Sequence, residues 1–566
     1  MKNTLNFSLF IFILIGNAFA QTDVLFPKIL VYTGPSRWKT MKSKNIDTFS
    51  KISKEDLEEL KTGLNTNKID LILSHYIDRA ESVSLDKHGM SEELKEWFAQ
   101  NAKIRTAFFE SISPIYDNIP EVIKIFNHLR KDNEAKLKKF FHLAIAIAIV
   151  WDDPDSITSS RYDCIWGFDK SQFQPHQAYE DIFAYFCNKS VQSTLKFKPD
   201  KLRWPLLVHL VDMDISKEEL YWARKKFYAQ KNKIQNTYSL IQYDYQKLST
   251  KKPNIGDRPY TLQNILKYNG ICGDQAHFSS RVAKSIGIPA MKVSGDGRYG
   301  GSHAWLGYLA AYKGDPKLLF SGRYRGDMYY TGEVFDPQTR TALLDRHIAM
   351  MYDGASSSYT NYIESLLLAR IARFYKDDET VLSFELSKEA IDKNVYSKTG
   401  WDMVFWHLNQ KHVPRKEVLS ILNTLFKELK SHPDITITGI ETLIKRIDPN
   451  DFSLKDKYYK KVLPLYKTRP DLQIRLRNMQ CNDLKEFGNP LKTIQIALTT
   501  CLANTEESTL ILPLVETIVA IAKEKGIEKK VKPYLLKIKS KFPKKRGSNI
   551  SDAYLKFQEI IAPIMH

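Results

Sequence analysis

Three residues in the middle of the chain have the types and surroundings that acyl-transfer chemistry needs. Cys272 stands in Gly270-Ile-Cys-Gly-Asp-Gln-Ala-His277, His303 in Gly301-Ser-His-Ala-Trp-Leu-Gly-Tyr308, and Asp336 in Glu333-Val-Phe-Asp-Pro337. His303 follows Cys272 by 31 residues and Asp336 follows His303 by 33. A thiol is a weak nucleophile at its ordinary pKa, so cysteine enzymes seat it at a helix N-terminus beside an imidazole, where thiolate and imidazolium stabilise each other. That placement predicts a Cys272 thiol held below its free pKa of about 8.5.

The neighbouring sequence supplies the elements. Gly270 and Gly273 permit a tight turn, and Ala276 to Ile286 reads as a helix with Phe278, Val282 and Ile286 on one face. Asp274 and Gln275 fall in its first turn, where acidic groups suit the positive helix end. Gly287-Ile-Pro is a helix stop, and Ala290 to Val293, His303 to Tyr308 and Val334-Phe335 read as strands. Neighbouring antiparallel strands would present His303 and Asp336 on one face, the carboxylate fixing the imidazole tautomer.

Gly-x-Cys-Gly-Asp opening a helix, Gly-Ile-Pro-Ala before a strand, His-Ala-Trp on a strand and Phe-Asp-Pro on the next resemble the transglutaminase-like superfamily of papain-type cysteine enzymes. The resemblance covers residues 260–341, and its four pieces occur in the family's order. It implies an α+β fold, a helix carrying the cysteine packed on an antiparallel sheet, with Cys272 as nucleophile, His303 as general base and acid, and Asp336 as orienting acid. It also implies an oxyanion hole of the Cys272 backbone N–H and an upstream side chain, for which Gln263, Tyr260 and Tyr268 are the candidates. Trp305, two residues beyond His303, shares its face and either walls the cleft or packs in the core. No cofactor is implied, and no spaced His, Cys or carboxylate cluster defines a metal site.

The N-terminus, a basic start followed by apolar Phe7 to Ile15 and ending Ala18-Phe-Ala20, reads as a secretory signal cut after Ala20. Export places the mature chain in the periplasm or outside the cell, where disulfides form. Of its five cysteines, Cys164 with Cys187 and Cys481 with Cys501 make close couples and leave Cys272 unpaired. The apolar stretch Phe140 to Trp151 is too short to span a membrane and reads as a buried helix.

At 566 residues, 43% hydrophobic and 26% charged, the chain has room for about three domains. Helical periods fill Lys54–Leu64, Ile69–Val83, Ser91–Ala99, Ile119–Leu129, Ala135–Val150 and Ser216–Ala229, and return over Tyr359–Phe374, Val381–Lys393, Trp401–Lys411, Arg415–Lys430, Thr436–Ile447, Leu491–Leu502 and Leu512–Lys525. The divisions read are a signal at 1–20, a helical domain at 21–245, the catalytic core at 246–345 and a second helical domain at 346–566. The last has helix pairs like those of tetratricopeptide arrays, or an irregular helical packing, since no clean repeat period emerges. Such a domain suits holding a protein partner.

The net charge is +19, and Lys523–Arg546 alone holds eleven Lys or Arg against Glu524 and Glu528. That composition attracts anionic surfaces, while export and the lack of a recognition fold argue against nucleic acid. Three motif matches are decoys. Gly295-Asp-Gly-Arg-Tyr-Gly300 matches GxGxxG but leads into a strand, as a hairpin loop does. Asp152-Asp-Pro-Asp-Ser lacks the Gly and closing Glu of a calcium loop and caps a helix end. Arg325-Gly-Asp327 is too short to weigh. The expected function is therefore an exported cysteine peptidase or amidase acting on a peptide, protein or cell-wall amide, with a cross-linking acyl transferase and a non-catalytic binding scaffold as alternatives.

Overall fold

The computed structural model describes residue 62 and residues 69–566, apart from 155–167, 169, 174–176, 298–300, 313–314, 323–330, 411–412, 449, 547–548 and 566. The signal at 1–20, the Lys54–Leu64 helix (save Thr62), Cys164 and the Arg325-Gly-Asp327 tripeptide thus lie outside the described residues. The fold is α+β and mainly helical. Among the described residues the larger sheet is antiparallel, with strands β1 (Ala290–Gly297), β2 (Gly301–Tyr312), β3 (Asp315–Ser321), β4 (Gly332–Phe335) and β5 (Ala342–Leu344) in the order β3-β2-β1-β4-β5. β1 and β2 form the hairpin expected of the GxGxxG match, paired from Ala290↔Tyr308 to Gly297↔Gly301.

The helix Phe141–Trp151 runs through the centre of the N-terminal half, with every residue from His142 to Trp151 buried. Its alternating Ile and Ala leave narrow grooves, and the helices Ala102–Ser111, Ile119–Asp132 and Trp204–Val211 pack into them. The helix expected over Ala135–Val150 is broken in two. Asn133 caps the short helix Glu134–Lys139, and Phe140 turns out of helical geometry to bury its ring at 3% exposure. No helix among the described residues is long and apolar enough to cross a membrane.

One apolar core runs continuously from Ile72 to Met403, joining the N-terminal helices, the sheet and the first helices beyond it. The divisions expected at 245 and 345 fall inside that core. A polar clasp crosses the same boundary. The turn after β4 sends Gln338 Nε2 to the Ser111 carbonyl (2.9 Å) and Asp117 Oδ2 (3.0 Å), and Arg340 to Asp152 and the Tyr116 carbonyl (2.8 Å). Arg370, from the helix Tyr359–Phe374, donates to the carbonyls of Glu110 and Ile112 at 2.9 and 3.0 Å. Asp152, which a calcium-loop reading would have made a ligand, is instead the C-cap of the central helix and the partner of Arg340.

Beyond the sheet, helices at Tyr359–Phe374, Thr380–Lys393, Lys398–Asn409, Arg415–Glu428, Pro433–Lys445, Pro490–Ala503 and Leu512–Glu524 match the periodic segments within a few residues. Asp345–Ser357, Phe452–Val462, Pro470–Glu486, Glu528–Lys541 and Asp552–Met565 are further helices, each packed on its chain neighbours.

The buried polar groups give the fold a defined pH response. Burial pushes Asp117 up to about 6 and Asp152 up to about 8, each against the lowering effect of Arg340. Burial pushes His142 and His347 down to about 3 and His209 down to about 4. A carboxyl raised on folding stabilises at low pH, and its contribution is lost as pH climbs to its folded value; a histidine depressed on folding stabilises above about 6.5 and loses that contribution as pH falls. Melting temperature should therefore decline from pH 6.5 to 8.5, where only the carboxyl arm acts. Asp117→Asn should flatten the decline, because the Asp117 charge helps hold Asp152 up. Calorimetry at half-unit steps checks this; a wild-type melting temperature that rises from pH 6.5 to 8.5 contradicts it.

Candidate active site

Cys272 is the first residue of the helix Cys272–Ser285. Asp274, third in the helix, reaches back so that its Oδ2 accepts the Ile271 backbone N–H at 2.8 Å, which stops the helix from extending backward. The same oxygen accepts from Lys247 Nζ at 2.8 Å, and Oδ1 accepts from the Tyr260 hydroxyl at 2.8 Å. The ion pair is buried, with side-chain exposures of 1% and 2%. Gly270 has to be glycine for this: a Cβ there would lie 2.4 Å from Asp274 Cβ.

Upstream chain locks onto the same turn. Asp244 N–H donates to the Gly270 carbonyl (2.9 Å), Gly270 N–H to the Gln242 carbonyl (3.1 Å), and Gln275 Nε2 to the Ile241 carbonyl (2.7 Å). The parallel bridge Tyr243↔Gly270 carries Tyr243 to the cysteine. Hydrogen bonding from its side chain and from the Ala304 backbone acts to lower the Cys272 thiol. The thiol is nevertheless held above its ordinary range, because burial outweighs those two donors. The expectation of a depressed thiol is corrected accordingly: at 9% exposure the helix end and donors do not compensate for lost hydration.

Ala304 sits on β2 beside His303, so the sulfur lies against the strand that carries the imidazole. The β2–β3 ladder begins at Leu306↔Ser321, which leaves the Ala304 edge to the sulfur and to the Tyr238 hydroxyl, bonded to the Ala304 carbonyl at 2.7 Å. His303 Nε2 meets the Gly322 carbonyl at 2.7 Å, a contact that requires Nε2–H and makes Nδ1 the lone-pair atom of the neutral ring.

Trp305 shares the His303 face, ring centroids 5.8 Å apart, and is a core residue at 1% exposure. Its ring lies across Gly295 and Gly332, where an added Cβ would come within 2.5 Å of it, and its Nε1 donates to Asp345 Oδ2 at 3.2 Å. Gly295 of the GxGxxG match thus serves a tryptophan rather than a phosphate.

Asp336 is not brought to His303. β1 separates β2 from β4, and the residue of β4 level with His303 is Gly332, through Gly295; Asp336 lies four residues farther on. Its Oδ1 instead accepts the backbone N–H groups of Gln338 (3.2 Å) and Thr339 (2.7 Å), shaping the turn that projects the Gln338 and Arg340 clasp. Its charge acts on buried His209 and Tyr352. The oriented acceptor at the imidazole is the Gly322 carbonyl, which no side-chain motif announces.

The remaining candidates separate in the same way. Tyr260 is committed to Asp274, at 1% exposure, and Tyr268 stacks with Arg258 at 4.8 Å. Gln263 lies on the helix Leu262–Tyr268 with its Oε1 buried and unbonded. Of the upstream side chains, Tyr243 is the one whose hydrogen bonding acts on the Cys272 thiol. Cys481 and Cys501 are free thiols, so the expected bridge between them is corrected. They lie on the neighbouring helices Pro470–Glu486 and Pro490–Ala503, with Cys481 Sγ 3.8 Å from the Thr493 carbonyl and Cys501 Sγ 3.9 Å from that of Ile511. Cys187 is also free and buried; its expected partner Cys164 lies outside the described residues.

Comparison of the chain with models of known protein families, with curated proteins and with solved structures found no match.

The sulfur environments predict an order of reactivity. Burial pushes Cys187 and Cys481 up to about 12 and Cys501 higher, whereas Cys272 has two hydrogen-bond donors on its sulfur. Iodoacetamide should label Cys272 before those three in the folded protein, at a rate still climbing above the ordinary thiol range, and Tyr243→Phe should slow it severalfold. Peptide mapping against time reads this directly; equal labelling of all four thiols would be the contrary result.

Proposed function

We propose that this protein is an exported, transglutaminase-like cysteine hydrolase that cleaves amide bonds through an acyl-enzyme on Cys272. The observation that carries the reading is a thiol at the start of a buried helix, held by the Ala304 N–H and the Tyr243 hydroxyl one residue along β2 from His303. His303 Nδ1 takes the thiol proton as the sulfur attacks the amide carbon, the Gly322 carbonyl holding Nε2–H and so the ring. The carbonyl oxygen takes the negative charge, which the Cys272 backbone N–H and the Tyr243 hydroxyl stabilise. His303 returns its proton to the leaving amine, and water, deprotonated in the same way, hydrolyses the thioester. In this reading the papain-like unit is the Cys272 helix with the antiparallel sheet, Asp336 positions the clasp rather than the imidazole, and the C-terminal helices hold a protein partner as a repeat-like array. An amine in place of water would give cross-linking instead.

One observation favours a second reading. A buried thiol raised above its ordinary range suits a scaffold that has kept the fold and lost the chemistry.

The two readings diverge under substitution. Cys272→Ala and His303→Ala should each remove turnover of an amide-substrate panel while leaving the melting temperature near wild type. Asp336→Ala should do the reverse, lowering the melting temperature through two lost backbone caps at about 1 kcal/mol each and keeping turnover within about tenfold. A fall of about 10⁴ with Asp336→Asn would restore it as the imidazole's partner. Wild type inert on every amide while binding a protein partner would favour the scaffold.

A further inference from the structure

The segment that brings Tyr243 to Cys272 carries a second ring that neither the core nor the acyl chemistry uses. Tyr245, two residues on, is 72% exposed and takes no part in the apolar core. Its ring lies 5.2 Å from that of Tyr243, tilted by 55°, and is packed against no other ring among the described residues. Tyr243 is half-buried, and its hydrogen bonding acts on the Cys272 thiol. Tyr245 therefore stands one ring removed from the nucleophile, on the solvent side.

The backbone under Tyr245 is held from several directions. Asp244, between the two tyrosines, is 3% exposed. Its N–H donates to the Gly270 carbonyl at 2.9 Å, its Oδ1 accepts the Lys247 N–H at 2.9 Å, and its Oδ2 accepts the Asn254 N–H at 3.0 Å. Two residues beyond Tyr245, Lys247 is buried in its ion pair with Asp274. A tyrosine on so fixed a backbone offers a large contact area and loses little freedom when a ligand covers it.

We infer that Tyr245 is a side-chain subsite for the amide substrate and takes an aromatic side chain close to the scissile bond. The inference rests on Cys272 as the nucleophile. A peptide that reaches the sulfur past Tyr243 advances about 3.3 Å per extended residue, so the residues one or two from the scissile amide come level with Tyr245. An aromatic ring there gains the stacked or edge-on pairing of two π systems in addition to burial, whereas an aliphatic side chain gains burial alone.

Two chloroacetamides that differ in one group, N-phenethyl and N-butyl, test this on the full-length protein, because each alkylates a thiol directly and needs no turnover. Peptide mapping against time gives the rate at Cys272, corrected by each probe's rate with glutathione. The phenethyl probe should be favoured about two- to tenfold, the increment of a ring pair. Tyr245→Phe should keep that preference and Tyr245→Ala should lose it, with the butyl rate unchanged. In a peptide-amide panel Tyr245→Ala should raise KM about fivefold for a substrate with Phe beside the scissile amide, leave its Ala counterpart unchanged, and keep kcat for both. No preference in wild type, a preference that survives Tyr245→Ala, or equal slowing of both probes, which would make Tyr245 only a support for Tyr243, would each overturn the inference. A ring preference that follows Tyr245 in a protein inert on every amide would uphold the subsite and remove the hydrolase reading.

Discussion

The buried ion pair between Lys247 and Asp274 is the constraint on which the site depends. With both side chains almost fully out of water, neither charge is tolerable alone, and removing one partner of such a pair costs about 3–5 kcal/mol. Asp274 resolves its burial by accepting from three donors at once: the ammonium, the Tyr260 hydroxyl and the Ile271 backbone. The last of these starts the helix at Cys272. The first pins the segment after Tyr243 under the same turn. One carboxylate thereby decides both where the sulfur is and which hydroxyl faces it.

Strand register does the equivalent work for His303. Pairing of β1 with β2 fixes the face of His303 and Trp305, and the early end of the β2–β3 ladder opens the Ala304 edge to the sulfur. The same register, carried across to β4, puts Asp336 four residues out of reach and commits it to a turn. That turn ties the sheet to the 111–118 segment through Gln338 and Arg340. A short acidic motif on a strand end can thus serve the seam between two parts of a fold as readily as a catalytic ring.

Much of the fold was legible from periodicity, and the reasons are local. Tyr359–Phe374 is found at the bounds its apolar spacing predicts, and Gly287-Ile-Pro does end the Cys272 helix. The buried nature of Phe141–Trp151 follows from an apolar run too short for a bilayer. The helix Asp345–Ser357 carries no clear apolar period, because Gly354 and a run of small and polar residues blur it; Gly354 is there to let Asn394 and Tyr396 pack close. The site was legible in its nucleophile and histidine as candidates, which stand in short motifs. Tyr243 and the Gly322 carbonyl were not. One arrives through a backbone bridge between distant segments and the other is a main-chain atom, and neither leaves a mark in residue type.

The proposed hydrolysis requires Cys272 to form a covalent acyl intermediate with His303 as its proton acceptor. Rapid acid quench of the protein with an activated acyl ester, followed by intact-mass and peptide analysis, measures that species directly. One acyl group on the Cys272 peptide, formed by wild type and absent in His303→Ala, is the expected result. An adduct on any other residue, or equal acylation of Cys272 with and without the imidazole, would contradict it.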